Sequence, residues 1–231
     1  VNHAMTTFAT GGFSTKNASI GYFESPLIQY TIILFMFISA TNFTLTYFAL
    51  KLDFKKILNN EEFKIYLSFI VILTLIVFST LYMIDSSYAE ETFRGAFFNI
   101  VSIVTTTGFT TADFTGWTDF ITILFFILMF FGACAGSTSG GIKLVRHVVL
   151  LKNSYNEIKR QLHQSGVFTL KFNNRKVPNE VISNILAFMM LYVVIFSFGS
   201  IVMTFIGVDF ETAIGSVAAT LGNVGPGIQD A

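Results

Sequence analysis

Cysteine is nearly absent. Cys134 is the sole one in 231 residues, which excludes an internal disulfide and a cysteine-based metal cluster within this chain. Charge is scarce too. Asp, Glu, Lys and Arg make up 12% of the residues, and the two signs balance at fourteen each. A charge-poor, neutral chain carries no nucleic-acid footprint in its total. Histidine is limited to His3, His147 and His163. No histidine or acid is placed to activate Cys134, Ser137, Thr138 or Ser139 as a nucleophile, which argues against a hydrolase. The opening Val1-Asn2-His3 has no basic n-region and so no signal-peptide pattern. The chain opens without Met and runs out just after a Gly-Pro-Gly stretch, so it is expected to be a slice of a longer protein.

Apolar residues are plentiful. They make up 53% of the chain and include 28 Phe, a membrane composition rather than that of a soluble core. A helix needs about 20 apolar residues to cross the hydrocarbon layer. Residues 27–50 form such a run, with Ser39 and Asn42 but no charge. Residues 65–84 and 181–206 form two more. Residues 120–151 are too long for one simple span and are interrupted at 132–141. The shorter runs 93–104 and 210–221 suit helices that enter the membrane and return to the same side. The expected class is an all-α integral membrane protein.

Charge is distributed unevenly along this layout. Segments 51–64 and 143–180 hold twelve of the fourteen basic residues against five acids. The rest of the chain holds Lys16 and Arg94 against nine acids. The Lys/Arg bias puts those two segments on the cytoplasmic side. The opposing acids read as solvated loop ends, or as a negative mouth that concentrates cations.

Three segments on that opposite side are alike. They are Ala9-Thr10-Gly11-Gly12-Phe13-Ser14-Thr15, Thr105-Thr106-Thr107-Gly108-Phe109-Thr110-Thr111 and Gly222-Asn223-Val224-Gly225-Pro226-Gly227. Setting Gly12 on Gly108 and Gly108 on Gly225 gives a repeated unit: span, short re-entrant helix, Gly-containing return, second span. A backbone leaving its helix at membrane depth is tolerated where it lines a water-filled path, and a dehydrated cation is a suitable partner for its carbonyls. Glycine permits positive φ, so successive carbonyls can face one axis. The short helices would aim their C-terminal dipole ends at that axis, which favours cations. The alternative is a Gly/Thr-rich connection with no ligand.

The interruption reads Gly132-Ala133-Cys134-Ala135-Gly136-Ser137-Thr138-Ser139-Gly140-Gly141. Gly132, Gly136 and Gly140 have the small-xxx-small spacing of helix packing. Ten small or polar residues in a row nonetheless make a poor helix interior. An unwound loop below the return segments is expected, able to block the path. Lys143 follows, at a cost of about 2.5–3.5 kcal/mol at membrane depth. It either snorkels to the cytoplasm or projects charge toward the path.

On these motifs the whole chain resembles the TrkH-type membrane subunit of the Trk/Ktr potassium transporter family. Residues 3–15 resemble the family's second filter, 105–111 its third and 221–227 its fourth, while 132–143 resemble its intramembrane gating loop. The resemblance implies pseudo-fourfold, potassium-channel-like pore units. Residues 1–50 would end the second unit, 51–64 form a cytoplasmic loop and 65–151 the complete third unit. Residues 152–180 would be a basic cytoplasmic loop, and 181–231 the fourth unit without its second helix. The family's first filter and last span, with its arginine near the gate, have no counterpart here. The implied filter residues are Ala9, Thr10, Gly11, Gly12, Thr105, Thr106, Thr107, Gly108, Gly222, Asn223, Val224 and Gly225. The implied gate comprises Gly132, Gly136, Ser137, Thr138, Ser139, Gly140, Gly141 and Lys143.

The resemblance also implies potassium as the transported ion, with no covalently bound cofactor and no enzymatic activity. It implies a multi-pass protein of the inner cell membrane, a homodimer and a cytoplasmic nucleotide-binding regulatory subunit of the TrkA type. The basic residues of 152–176 would serve as its docking surface or contact anionic lipid. The leading function is potassium uptake, passive or coupled to another ion. The alternatives are a non-conducting scaffold subunit with Gly-rich helix packing, and a broken-helix transporter of organic solutes. The latter would need a midplane pocket with anchoring charges, which the spans lack.

Overall fold

The computed structural model describes residues 1–84, 89–112, 116–163, 166, 168–225 and 227. Pro226, named above, lies outside them, as do Asp85, Asp113 and Asp230 among the acids counted above. Helix α1 (Asn2–Phe8) leads through the first Gly-rich segment and a 3₁₀ turn (Ser19–Tyr22) to α2 (Pro26–Ser39). Pro26 stands at the start of α2, where its missing N–H costs nothing.

The run 27–50 is not the straight span that its apolarity suggests. It breaks after Ser39 and resumes as α3 (Phe43–Leu50), bent by 111°. Asn42 restarts the helix, its side chain accepting the Thr44 N–H at 2.8 Å. The backbone groups freed at the corner find partners in segment 134–138. Cys134 N–H donates to Ala40 O at 3.2 Å, and Phe43 N–H donates to Gly136 O at 3.0 Å.

Helix α4 (Phe54–Asn59) precedes α5 (Glu61–Ile84). Helix α5 begins ahead of its apolar run because Asn60 caps it, accepting the Phe63 N–H at 3.0 Å. Helix α6 (Ala89–Val104) begins with Glu90 and Glu91 near its positive end and buries every residue from Phe98 to Val104. It packs against α5 and α2 at the centre of the molecule, where Met36, Ile70, Phe98, Ile100, Phe109 and Phe125 form the core. Arg94 is buried there. It pairs with Glu90 at 2.6 Å and donates from Nε to Gln29 Oε1 at 2.9 Å, tying α6 to α2.

Helix α7 (Asp119–Leu128) starts at Thr118, whose hydroxyl accepts the Ile121 N–H. It gives way to a two-residue parallel pair, β1 (Phe131–Gly132) with β2 (Ile142–Lys143), and then to α8 (Leu144–Leu162). A short antiparallel hairpin follows, β3 (Lys171–Phe172) and β4 (Arg175–Lys176). Its turn residues Asn173 and Asn174 have φ of 48° and 61°, the pattern of a tight hairpin. Helix α9 (Asn179–Phe205) leads to α10 (Phe210–Gly222), capped by Asp209.

Among the described residues, two helices, α5 and α9, are each long and apolar enough to cross a membrane. Along α9, Leu191, Val193, Val194, Phe198, Ile201 and Phe205 are all exposed. A helix apolar on every side belongs in lipid or against other membrane helices, not in water.

Candidate functional site: three helix ends above a broken helix

Helices α1, α6 and α10 end in the same way. Gly11 N–H donates to Thr6 O at 2.8 Å, Thr107 N–H to Ser102 O at 2.9 Å, and Val224 N–H to Ala219 O at 2.9 Å. One residue earlier, Thr10 donates to Thr7 O at 3.2 Å, Thr106 to Ile103 O at 2.9 Å and Asn223 to Thr220 O at 3.1 Å. This bond pair is the Schellman helix stop, which needs a left-handed residue after the helix. Thr10, Thr106 and Asn223 supply it, at φ of 51°, 55° and 53°. Gly12, Gly108 and Gly225 then turn left-handed as well, at 64°, 81° and 103°.

Glycine is the usual residue at such a stop, and threonine is an outlier there. The strain is on the order of 1–3 kcal/mol per residue, and such strain concentrates at functional sites. Thr105, Thr106 and Thr107 are all buried, and the Thr105 and Thr107 hydroxyls bond each other at 2.8 Å.

The turns lie against one another. A side chain at Gly12 would overlap the Thr107 carbonyl oxygen, and one at Gly225 would reach Gly108 Cα at 3.6 Å. Ile20 and Gly21 both donate N–H to Thr110 O at 3.1 Å, joining the chain beyond the first turn to the chain beyond the second. Three helix C-termini, each with a partial negative charge, thus end beside close-packed backbone and buried hydroxyls. That environment suits a cation. Among the described residues, no group of three His, Cys, Asp or Glu side chains could hold a metal ion.

Segment 132–141 is a loop, and the helix-packing reading of Gly132, Gly136 and Gly140 does not apply. Helix α7 stops at Leu128, and Gly136 and Gly141 take φ of 70° and 60°. The loop reaches all three helix ends. Thr138 Oγ1 donates to Phe8 O at 3.3 Å and to Ser39 O at 3.1 Å. Gly140 N–H donates to Thr106 Oγ1 at 2.5 Å. A side chain at Gly140 would come within 2.9 Å of Gly222 O and 2.7 Å of Asn223 Cβ. Within the loop, Ser137 Oγ donates to Cys134 O at 2.6 Å and bonds Ser139 Oγ at 2.9 Å.

Lys143 turns back onto the loop that it follows. Its ammonium donates to the Ser139 carbonyl, to Ser139 Oγ at 2.8 Å and to Ser137 O at 3.5 Å. The half-buried charge is thus held by two backbone carbonyls and a hydroxyl of the loop.

Two residues that the sequence reading passed over fix the loop. Asn42 Nδ2 donates to Ala135 O at 2.7 Å, and Ala135 N–H donates to Glu62 Oε1 at 2.6 Å, so both backbone polar groups of one residue are held. Glu62 is only 6% exposed. The available signal was an amide midway along a charge-free run and a second acid at a helix start.

Comparison with known proteins bears on this arrangement. The sequence matches the family described as TrkH, cation transport protein, over residues 1–229. The "Trk system potassium uptake protein TrkH" of Salmonella typhimurium is 38% identical over 234 residues, covering 99% of this chain and 48% of that one. "Trk system potassium uptake protein TrkG" of Escherichia coli is 30% identical, covering 97% and 47%. The crystal structure of the potassium transporter TrkH from Vibrio parahaemolyticus superposes with a TM-score of 0.92 at 37% identity, over 99% of this chain and 50% of that one. The chain therefore spans about half the length of the relatives it matches. With a family match from end to end and a near-identical fold, this chain belongs to the TrkH family of membrane cation transport proteins.

Proposed function

We propose that this chain contributes three of the four parts of a potassium-selective filter and the gate beneath it, in a protein that takes up potassium across the inner cell membrane. The filter residues are Ala9–Gly12, Thr105–Gly108 and Gly222–Gly225, through their backbone carbonyls. The observation that carries this reading is the threefold recurrence of one helix stop with matching hydrogen bonds and φ angles, strained at the two threonines. A packing connection has no need to repeat a costly left-handed threonine. An ion path does need carbonyls turned to one side at a fixed depth. The names of the relatives, all Trk system potassium uptake proteins, supply the ion.

Segment 132–141 acts as the gate. It lies against all three turns and carries the Lys143 charge within its own fold, so its displacement opens the path and removes a positive charge from beneath it. Multi-pass insertion, a homodimer and a cytoplasmic regulatory subunit of the TrkA type belong to the same proposal. They follow from kinship and from the cytoplasmic basic segments.

The test is potassium flux into liposomes that hold the full-length protein. Gly108→Ser places a side chain on a left-handed residue at the centre of the turns. It is expected to cut potassium flux at least tenfold or to lower the preference for potassium over sodium. Unchanged flux and selectivity would end the filter assignment.

A further inference from the structure

The first two residues of α5 are both glutamates, and they grip different parts of the molecule. Successive residues on a helix point about 100° apart, so Glu61 and Glu62 cannot share a face. Glu62 points inward and accepts the Ala135 N–H of the broken segment at 2.6 Å. Glu61 points to the cytoplasmic hairpin. Its N–H donates to Asn173 Oδ1 at 2.7 Å, and its Oε2 accepts the Asn173 N–H at 2.9 Å. This is a reciprocal bracket between residues 112 positions apart. Lys152 of α8 closes it by bonding Glu61 Oε1 and donating to Lys171 O at 3.3 Å.

At the hairpin's base, Leu170 and Val177 pack with Val149 and Ile182, while its tip is held by Glu61. Its strands are two residues each, too short to be stable alone. Its turn is the part that Glu61 holds. The segment 134–136 is similarly short of its own structure and is held by Glu62, Asn42 and the corner at Ala40. The two glutamates are covalently adjacent and fixed to one rigid 24-residue helix. A shift of the hairpin that turns or lifts the start of α5 must also move the carboxylate on Ala135. The route alternates hydrogen bonds with covalent backbone: Asn173 to Glu61, along the chain to Glu62, to Ala135, and along the loop to Gly140 on Thr106.

We propose that Glu61 and Glu62 are positioning residues that couple the cytoplasmic hairpin 171–176 to the intramembrane loop 132–141. A cytoplasmic factor that displaces the hairpin thereby loosens the loop. This rests on the reading of that loop as the gate. Glu62 sets the loop's position and touches no transported ion. Glu61 makes that position answer to the hairpin.

Cys134 supplies a readout independent of transport. It is fully buried, adjacent to Ala135, and exposed only if the loop moves. The experiment uses the full-length protein with Cys134 as its sole cysteine, in liposomes. It measures the rate of Cys134 labelling by a water-soluble maleimide alongside potassium flux. Asn173→Gly keeps the left-handed turn at an exposed tip and removes one arm of the bracket, the Oδ1 that accepts the Glu61 N–H, so the fold is not at risk. Glu62→Gln keeps the shape and removes the charge. Each is expected to raise the labelling rate at least about fivefold, the lower end of typical coupling between sites.

The double variant is expected to label no faster than the quicker single variant, because both lie on one route. Lys56→Gln, which breaks an exposed pair with Asp53 away from the hairpin, is expected to label as wild type. Wild-type labelling in Asn173→Gly, or additive rates in the double variant, would overturn the coupling. If labelling follows these expectations while no variant, nor wild type, passes potassium, the coupling stands and the transport reading falls.

Discussion

Three single residues carry most of the argument: Thr10, Thr106 and Asn223. Each stops a helix by adopting a conformation that glycine would take at no cost. Thr106 does a second task, because its hydroxyl accepts the Gly140 N–H. In Thr106→Ala that buried N–H loses its partner at a cost of about 1–3 kcal/mol. The apparent melting temperature of the purified protein should fall by several degrees, read by intrinsic fluorescence on heating.

Asp209 offers a pH test at the same scale. The Thr212 N–H, bonded to its carboxylate, holds Asp209 below the usual carboxylate range, with the Thr212 side chain adding to the effect. A depressed value means that the ionised cap stabilises the fold above the unfolded pKa and loses that effect as pH falls through the folded one. Wild type should therefore melt higher than Asp209→Ala above about pH 5, the gap closing as pH drops through about 4 and below. A gap that stays the same from neutral pH down to the most acid pH at which the protein remains folded would refute the assignment. The glycines and threonines of these turns were legible in the sequence. The left-handed threonines were not, because nothing in threonine's own preferences points to positive φ.

At the scale of elements, apolar runs located the helices, and polar residues decided where they break. Residues 65–84 and 181–206 emerge as α5 and α9 with small shifts at the ends. The α5 shift comes from Asn60, a cap that an apolar count ignores. The broken helix was legible because ten small residues cannot hold a helix together. Its companion break at residues 40–42 was not, since Ser39, Thr41 and Asn42 are tolerable inside a membrane helix one at a time. What bends that helix is a tertiary contact. Its freed backbone groups pair with segment 134–138, more than ninety residues away. The two breaks are halves of one structure and hold each other open.

Deleting residues 136–140 removes the Gly140 and Thr138 contacts to the helix ends. Potassium flux through the full-length protein should then rise, or lose its dependence on a regulatory partner. Unchanged, still-regulated flux would count against the gate. The fate of Lys143 was also beyond sequence reading, because a lone ammonium can be satisfied by backbone oxygens that exist only once the loop has folded.

Over the whole molecule, the basic hairpin 171–176 joins the N-terminal end of α5 through Asn173 and Lys152. Sequence offsets of the glycines foretold the repeated unit. The structure adds that hydrogen bonds and backbone angles repeat with the same offsets. The fold is that of the TrkH family over essentially the full chain.

The central claim is that backbone carbonyls of three unlike turns bind one line of potassium-like ions. The most direct test is the structure of the full-length protein crystallised with thallium, a potassium substitute visible by anomalous scattering. The account predicts anomalous peaks on an axis within coordination distance of carbonyls from Ala9–Gly12, Thr105–Gly108 and Gly222–Gly225. Bound thallium elsewhere, with none between these turns, would contradict it.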